Sequence, residues 1–217
     1  MIRQSLFADR HDAGNRLAGR LSSFSGQHAL VLGLARGGVP VAAELARRIR
    51  GELEVLVVRK LGAPDSPELA IGAVTASGGS FLNREIIREL GVRQEYVDRV
   101  AARESAEARR LEARLRGSTP RPGAEGRVVI LVDDGLATGA TMRAAARSIR
   151  HERPARTVIA LPVGSRQGCE EVAEDADDTL CLYTPEPFWA VGLYYERFEP
   201  VSDEEVRRLL QHGVAAR

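Results

Sequence analysis

The chain has 217 residues, 44% of them hydrophobic, which suits one α/β domain with a sizeable core and leaves two domains cramped. With 31 basic against 30 acidic residues, no net field recruits nucleic acid or an anionic membrane. No apolar stretch reaches the length of a membrane span, residues 1–14 carry Asp9, Arg10 and Asp12 where a signal peptide needs an apolar run, and Cys169 and Cys181 lack a metal-like spacing; the expectation is a cytoplasmic protein with neither a disulfide nor zinc.

The pattern predicts a helix over Asp12–Phe24, a strand over Ala29–Leu34, a helix over Val39–Arg50 and a second strand over Leu53–Val58. Between the first strand and its helix, Gly33-Leu34-Ala35-Arg36-Gly37-Gly38-Val39-Pro40 turns directly, so Arg36 and the glycine backbone either face an anion at a helix N-terminus or form an ordinary glycine turn. The second strand runs into Arg59 and Lys60, the only lysine of the chain; the pair is either a polyanion contact or a solvated strand end.

The stretch 62–126 is too long for a plain crossover. Ala70–Leu82 alternates weakly around Ser77-Gly78-Gly79 as a hairpin, and Asn83 caps a short helix that ends before Gly91. Val97, Val100, Ala101, Ala108, Leu111 and Leu115 then form one stripe on a charged helix, and 117–126, with Pro120 and Pro122, is a linker.

Val128–Val132 is a buried strand followed by Asp133 and Asp134, the loop Gly135-Leu136-Ala137-Thr138-Gly139-Ala140-Thr141, and a helix to Arg150. Backbone N–H groups from Thr138 to Thr141 converge at that helix start beside two hydroxyls, which is how a phosphate dianion is held. Carboxylates one short loop away accept hydrogen bonds from the vicinal hydroxyls of a sugar carrying that phosphate. Acid pairs after a strand also occur in receiver domains and haloacid dehalogenase-like phosphatases, which would make Asp133 a nucleophile. A strand over Thr157–Val163, a helix over Gln167–Ala176 and a strand over Thr179–Tyr183 complete a doubly wound α/β alternation, whose ligands bind beyond the carboxyl ends of the strands.

The hydrophobic strand, acid pair and Thr-Gly-x-Thr loop resemble the type I phosphoribosyltransferase motif, closest to the adenine type with its Ala at 137. The resemblance implies a mainly parallel five-stranded sheet, a segment 62–126 comprising a mobile loop, hairpin and helical insertion, and a C-terminal hood over 184–217. It implies that Asp133 and Asp134 hold the ribose hydroxyls while Ala137, Thr138, Gly139, Ala140 and Thr141 cradle the 5′-phosphate. Ala35, Arg36, Gly37 and Gly38 resemble a pyrophosphate loop with a cis peptide at Ala35–Arg36, and Arg59 and Lys60 are similar to the basic pair that faces pyrophosphate in adenine-type enzymes. Glu68 is the best-placed carboxylate of the family's mobile catalytic loop.

In Pro187-Phe188-Trp189-Ala190-Val191-Gly192, Trp189 stands where the family stacks its base, with Phe188 the alternative, and Glu196 stands where an acid joins Asp133 and Asp134 on magnesium. No lysine follows the fourth strand to read an oxopurine carbonyl, and Arg166 is the nearest candidate. Over nearly its whole length the chain resembles a group of phosphoribosyltransferases that begin Phe-x-Asp-Arg-x-Asp-Ala-Gly, here Phe7 to Gly14. The implied activity is magnesium-dependent transfer from 5-phosphoribosyl 1-pyrophosphate to a nucleobase, purine favoured, by a homodimer with no nucleic-acid or membrane partner. Hypoxanthine-guanine enzymes have a proton-transferring Asp where Ala137 stands, so the alternative is a non-catalytic regulator that binds the same donor.

Overall fold

A computed structural model describes residues 5–67, 69–117 and 121–214, with side chains to Gln211; Pro120 falls outside it. Helix α1 (Arg10–Arg20) precedes strand β1 (Leu30–Leu34), helix α2 (Gly38–Ile49) and strand β2 (Glu52–Leu56). Strands β3 (Val58–Gly62), β4 (Ala70–Thr75) and β5 (Ser80–Leu82) and helices α3 (Arg84–Glu89) and α4 (Gln94–Arg116) follow. The chain then runs through β6 (Val128–Val132), α5 (Ala140–Arg150), β7 (Arg156–Val163), α6 (Arg166–Ala173), β8 (Asp178–Tyr183) and α7 (Asp203–Val214).

The main sheet has the order β2-β1-β6-β7-β8 with every pair parallel. Parallel strands covered on both faces read as unbroken apolar runs, and Leu30, Val31, Leu32, Val129, Ile130 and Leu131 are fully buried. Their side chains alternate between two cores. Val31 and Ile130 pack with Leu45 of α2 and Val206 of α7, whereas Leu32 and Leu131 pack with Met142 of α5 and Val172 of α6. At about 25 cal/mol per Å² of apolar area, these two layers supply the main driving force of folding.

The strand expected over Leu53–Val58 divides at Val57. Val58 begins β3, which pairs antiparallel with β4 and through it with β5 in a separate three-stranded sheet. The insertion therefore begins at Val58 rather than at residue 62. Its core joins Leu61, Ile71 and Val74 to Val97 and Val100 of α4. Asn83 caps α3, its Oδ1 accepting from Ile86 N.

A disulfide joins Cys169 of α6 to Cys181 of β8, against the expectation of free thiols. The residues are far enough apart in sequence to show no pattern, and the packing of α6 beside β8 brings them together. With that bridge the cysteines no longer argue for a reducing compartment. Among the described residues, no helix is long and apolar enough to cross a membrane.

Candidate active site

Strand order reverses between β1 and β6, and there the two diagnostic loops meet above adjacent strand ends. The Ala35–Arg36 peptide is cis, Gly37 caps α2, and the turn lies directly against the acid pair. A Cβ on Gly37 would stand 2.1 Å from Asp134 Oδ2, and one on Gly38 would stand 2.4 Å from the Val132 carbonyl oxygen and 2.8 Å from Asp133 Cα. Glycine is thus required here by proximity, since the turn packs directly against the acid pair and its main chain.

The other anion loop ends at Gly139, which adopts φ +76 as the N-cap of α5. Helix α5 leaves its first N–H groups without intrahelical partners, aimed out of the loop. From beneath, Ser165 Oγ donates to the Ala137 carbonyl at 2.7 Å, and a Cβ on Gly168 would meet the same oxygen at 2.7 Å. Residues 137–141 are therefore held by the start of α6, with Ala137 and Thr138 exposed and Thr141 half-buried.

Asp133 Oδ1 accepts from Asp134 N at 2.9 Å. Burial, followed by the adjacent charge of Asp134, pushes the Asp133 carboxyl well above the usual carboxylate range. Burial raises the Asp134 carboxyl too, opposed by the guanidinium of Arg10, whose Nε lies 2.8 Å from Asp134 Oδ2. The Tyr195 hydroxyl donates to the Asp134 carbonyl at 2.6 Å. Raised carboxyls and close glycine contacts thus coincide at the strand-order switch, where ligands of such sheets bind.

Comparison with known proteins agrees with this geometry. The phosphoribosyl transferase domain family matches residues 8–196. The chain belongs to that family. A relative in Mycobacterium tuberculosis, provisionally named a phosphoribosyl transferase, is 44% identical over 208 residues, covering 96% of this chain and 47% of its own. The chain thus spans about half the length of the curated relatives it matches first. The bifunctional protein PyrR of Ralstonia nicotianae is 32% identical over 138 residues, covering 58% of this chain and 78% of its own. Among solved structures, the protein TT1426 from Thermus thermophilus superposes with a TM-score of 0.82 at 44% identity, over 95% of this chain and 98% of that one. A hypothetical protein from Neisseria gonorrhoeae with bound ppGpp shares the fold, with a TM-score of 0.51 at 12% identity over 98% and 99% of the two chains.

Around this phosphoribosyl transferase core, the remaining expected residues separate. Arg36 is half-exposed, with its Nε 2.9 Å from Asp203 Oδ1. Arg59 and Lys60 lie on β3 of the second sheet rather than at the end of a main-sheet strand, and Arg59 Nε donates to the buried Glu104 of α4 at 3.0 Å. Lys60 pairs in register with Ala73 of β4. Glu68 lies outside the described residues.

The hood segment reaches the acid loop through Val191, whose Cγ1 would stand 2.4 Å from a Cβ on Gly135. Phe188 stacks on Tyr194 with ring centroids 5.3 Å apart, which commits it to the hood core, whereas Trp189 is 67% exposed. Arg166 Nε lies 2.5 Å from Glu186 Oε1, so its charge is already paired. Glu196 Oε1 accepts from Ser5 Oγ at 3.2 Å. Among the described residues no group of three or more metal-ligating side chains gathers, so Glu196 is not assembled with Asp133 and Asp134.

Two residues of the site carried no individual signal. Tyr195 reaches Asp134 from the hood, and Arg10 reaches it from α1. The segment Phe7–Gly14 was legible only as a family signature, and its residues each have a task. Phe7 fills the hood core, while Asp9 caps α1 and receives Arg197. Arg10 grips Asp134, and Asp12 accepts from Arg16. Gly14 lets α1 cross α2 closely, since a Cβ there would stand 2.5 Å from the Val41 carbonyl oxygen.

Proposed function

We propose that this chain binds 5-phosphoribosyl 1-pyrophosphate and transfers its ribosyl group to a nucleobase, purine favoured, releasing pyrophosphate. The observation that carries the reading is the direct contact of the Arg36-Gly37-Gly38 turn with Asp133 and Asp134 beside the α5 loop. An activated sugar needs an anion turn, a diol acceptor and a phosphate cradle side by side, and this adjacency supports the reading.

In this reading residues 137–141 hold the 5′-phosphate, the acid pair orients the ribose, and Arg36 takes up charge on the leaving pyrophosphate. The bond from the anomeric carbon to the pyrophosphate oxygen breaks, a bond to a base nitrogen forms, and the base proton departs. Ala137 offers no group for that proton. Trp189 rather than Phe188 stacks the base, because Phe188 is spent on Tyr194. A carboxylate beside a polyphosphate fits the oxygen donor set of magnesium, which takes one or two carboxylates plus substrate oxygens. When bound by Asp133 or Asp134 it would neutralise pyrophosphate charge. A homodimer remains part of this reading, as does the lack of nucleic-acid and membrane partners.

A second reading, a donor-binding regulator, is favoured by Ala137 and by the likeness to PyrR. One panel separates the two: purines and pyrimidines with donor and magnesium, scored for pyrophosphate release, beside calorimetry of donor alone. Release with one base supports the enzyme. Donor binding with every base inert overturns catalysis, and no magnesium-dependent donor binding overturns both readings.

A further inference from the structure

We propose that Arg10 is a positioning residue of the sugar site, reaching from the first turn of α1 to fix the Asp134 carboxylate so that one of its oxygens faces the ribose diol. This rests on the sugar-phosphate reading above and adds a residue to it.

The guanidinium of Arg10 is anchored on three sides. Its Nε donates to Asp134 Oδ2 at 2.8 Å, its Nη1 donates to the Glu199 carbonyl at 2.9 Å, and its Cζ lies over the Phe198 ring, 3.8 Å from the ring centre. The side chains of Arg10 and Asp134 are only 11% and 14% exposed. A partly desolvated pair with this many contacts has a defined geometry, unlike the solvated ion pairs of the surface.

Asp134 is constrained from its other sides as well. Gly37 leaves room for Oδ2 only because it lacks a Cβ, which would stand 2.1 Å from that oxygen, and the Tyr195 hydroxyl donates to the main-chain carbonyl of Asp134 at 2.6 Å. Arg10 and the glycine turn both engage Oδ2, and among the described residues no hydrogen bond from another side chain reaches Oδ1 of Asp134, so Oδ1 is the oxygen that the proposal assigns to the diol. A carboxylate free to rotate would present either oxygen and would spend ordering entropy on each binding event. Arg10 removes that freedom in advance. The helix that delivers it is itself fixed, through the Asp9 cap and the close approach at Gly14.

The test is calorimetry of the full chain with ribose 5-phosphate and with 2-deoxyribose 5-phosphate. Both probes share the phosphate but only one carries the full diol. The wild type is expected to prefer ribose 5-phosphate by about tenfold, the worth of one charge-assisted hydrogen bond. Arg10→Gln should bring the two affinities within about threefold by weakening the ribose compound alone, and Arg10→Lys should restore most of the preference.

An Arg10→Gln protein that keeps the wild-type ratio overturns the proposal. So does equal weakening of both probes, which would mark a structural role, and so does tighter binding of both, which would make Arg10 a competitor for the site. A wild type that binds neither probe overturns the sugar-phosphate reading and this inference together. Retained 2-deoxyribose 5-phosphate binding shows that each variant is folded.

Discussion

Arg36 of the anion turn and Asp203 at the start of α7 form an ion pair, with Nε 2.9 Å from Oδ1, and the other oxygen of Asp203 takes Arg114 Nε of α4 at 3.1 Å. A cation assigned to pyrophosphate is therefore already shared with a carboxylate. Asp203→Asn should release it and tighten binding of inorganic pyrophosphate about two- to fivefold, the range for a half-solvated pair. Isothermal titration of wild type and variant checks this, and unchanged or weaker binding would remove Arg36 from the pyrophosphate contact.

Asp133 should behave as a group kept for function at a cost in stability. Because its native carboxyl titrates above the unfolded one, the native state retains a proton that the unfolded chain has lost. Stability from this group is present at low pH and declines as pH rises from about 4 through the raised native value. Asp133→Asn should make the protein more stable by on the order of 1 kcal/mol at neutral pH, and by less near pH 4, while abolishing donor binding. Urea unfolding at the two pH values, together with calorimetry, tests both halves.

Gly37→Ala is expected to drive the added methyl against Asp134 Oδ2, which stands 2.1 Å away. That oxygen belongs to a side chain pinned by Arg10, so it has little room to yield. Gly38→Ala meets main chain at 2.4 Å and should cost more, about 2–3 kcal/mol. Chemical denaturation should rank the two in that order, and both should lose sugar-phosphate affinity.

Trp189 is the only tryptophan of the chain, so its emission is an unambiguous reporter. A purine nucleoside monophosphate should quench it on binding, and the signal should vanish in Trp189→Phe without loss of ribose 5-phosphate affinity. Quenching by ribose 5-phosphate alone would contradict base stacking.

The Cys169–Cys181 bridge spans 12 residues of sequence. A short closed loop of this kind contributes about 3 kcal/mol by restricting the unfolded chain. Denatured protein prepared without reductant should show no titratable thiol, and reductant should lower the melting temperature. Two reactive thiols in the untreated protein would contradict the bridge.

The main sheet was readable because parallel strands buried on both faces need consecutive apolar residues, and each of the five runs supplied one of its strands, the second only as far as Leu56. The acid pair and the two glycine turns beside it were readable as local structure because few residue types can make them. The break at Val57 was hidden, since Val55, Leu56, Val57 and Val58 form one apolar run and only pairing with distant β4 assigns Val58 to another sheet. Arg59 was misplaced for the same reason, its partner Glu104 lying on a helix far along the chain. Arg10 and Tyr195 were beyond a local reading, because neither has a role until α1 and the hood close on Asp134.

The N-terminal strap and the hood are stitched together: Leu6 and Phe7 donate to the Tyr194 carbonyl, Glu196 N donates to Phe7, and Arg197 N donates to Ala8. These bonds join segments that lie far apart in sequence, so they can form only after the strands between them have paired. The turns at the strand ends can form earlier, whereas the mouth above them closes late, so a folding intermediate should have a finished floor and an open roof.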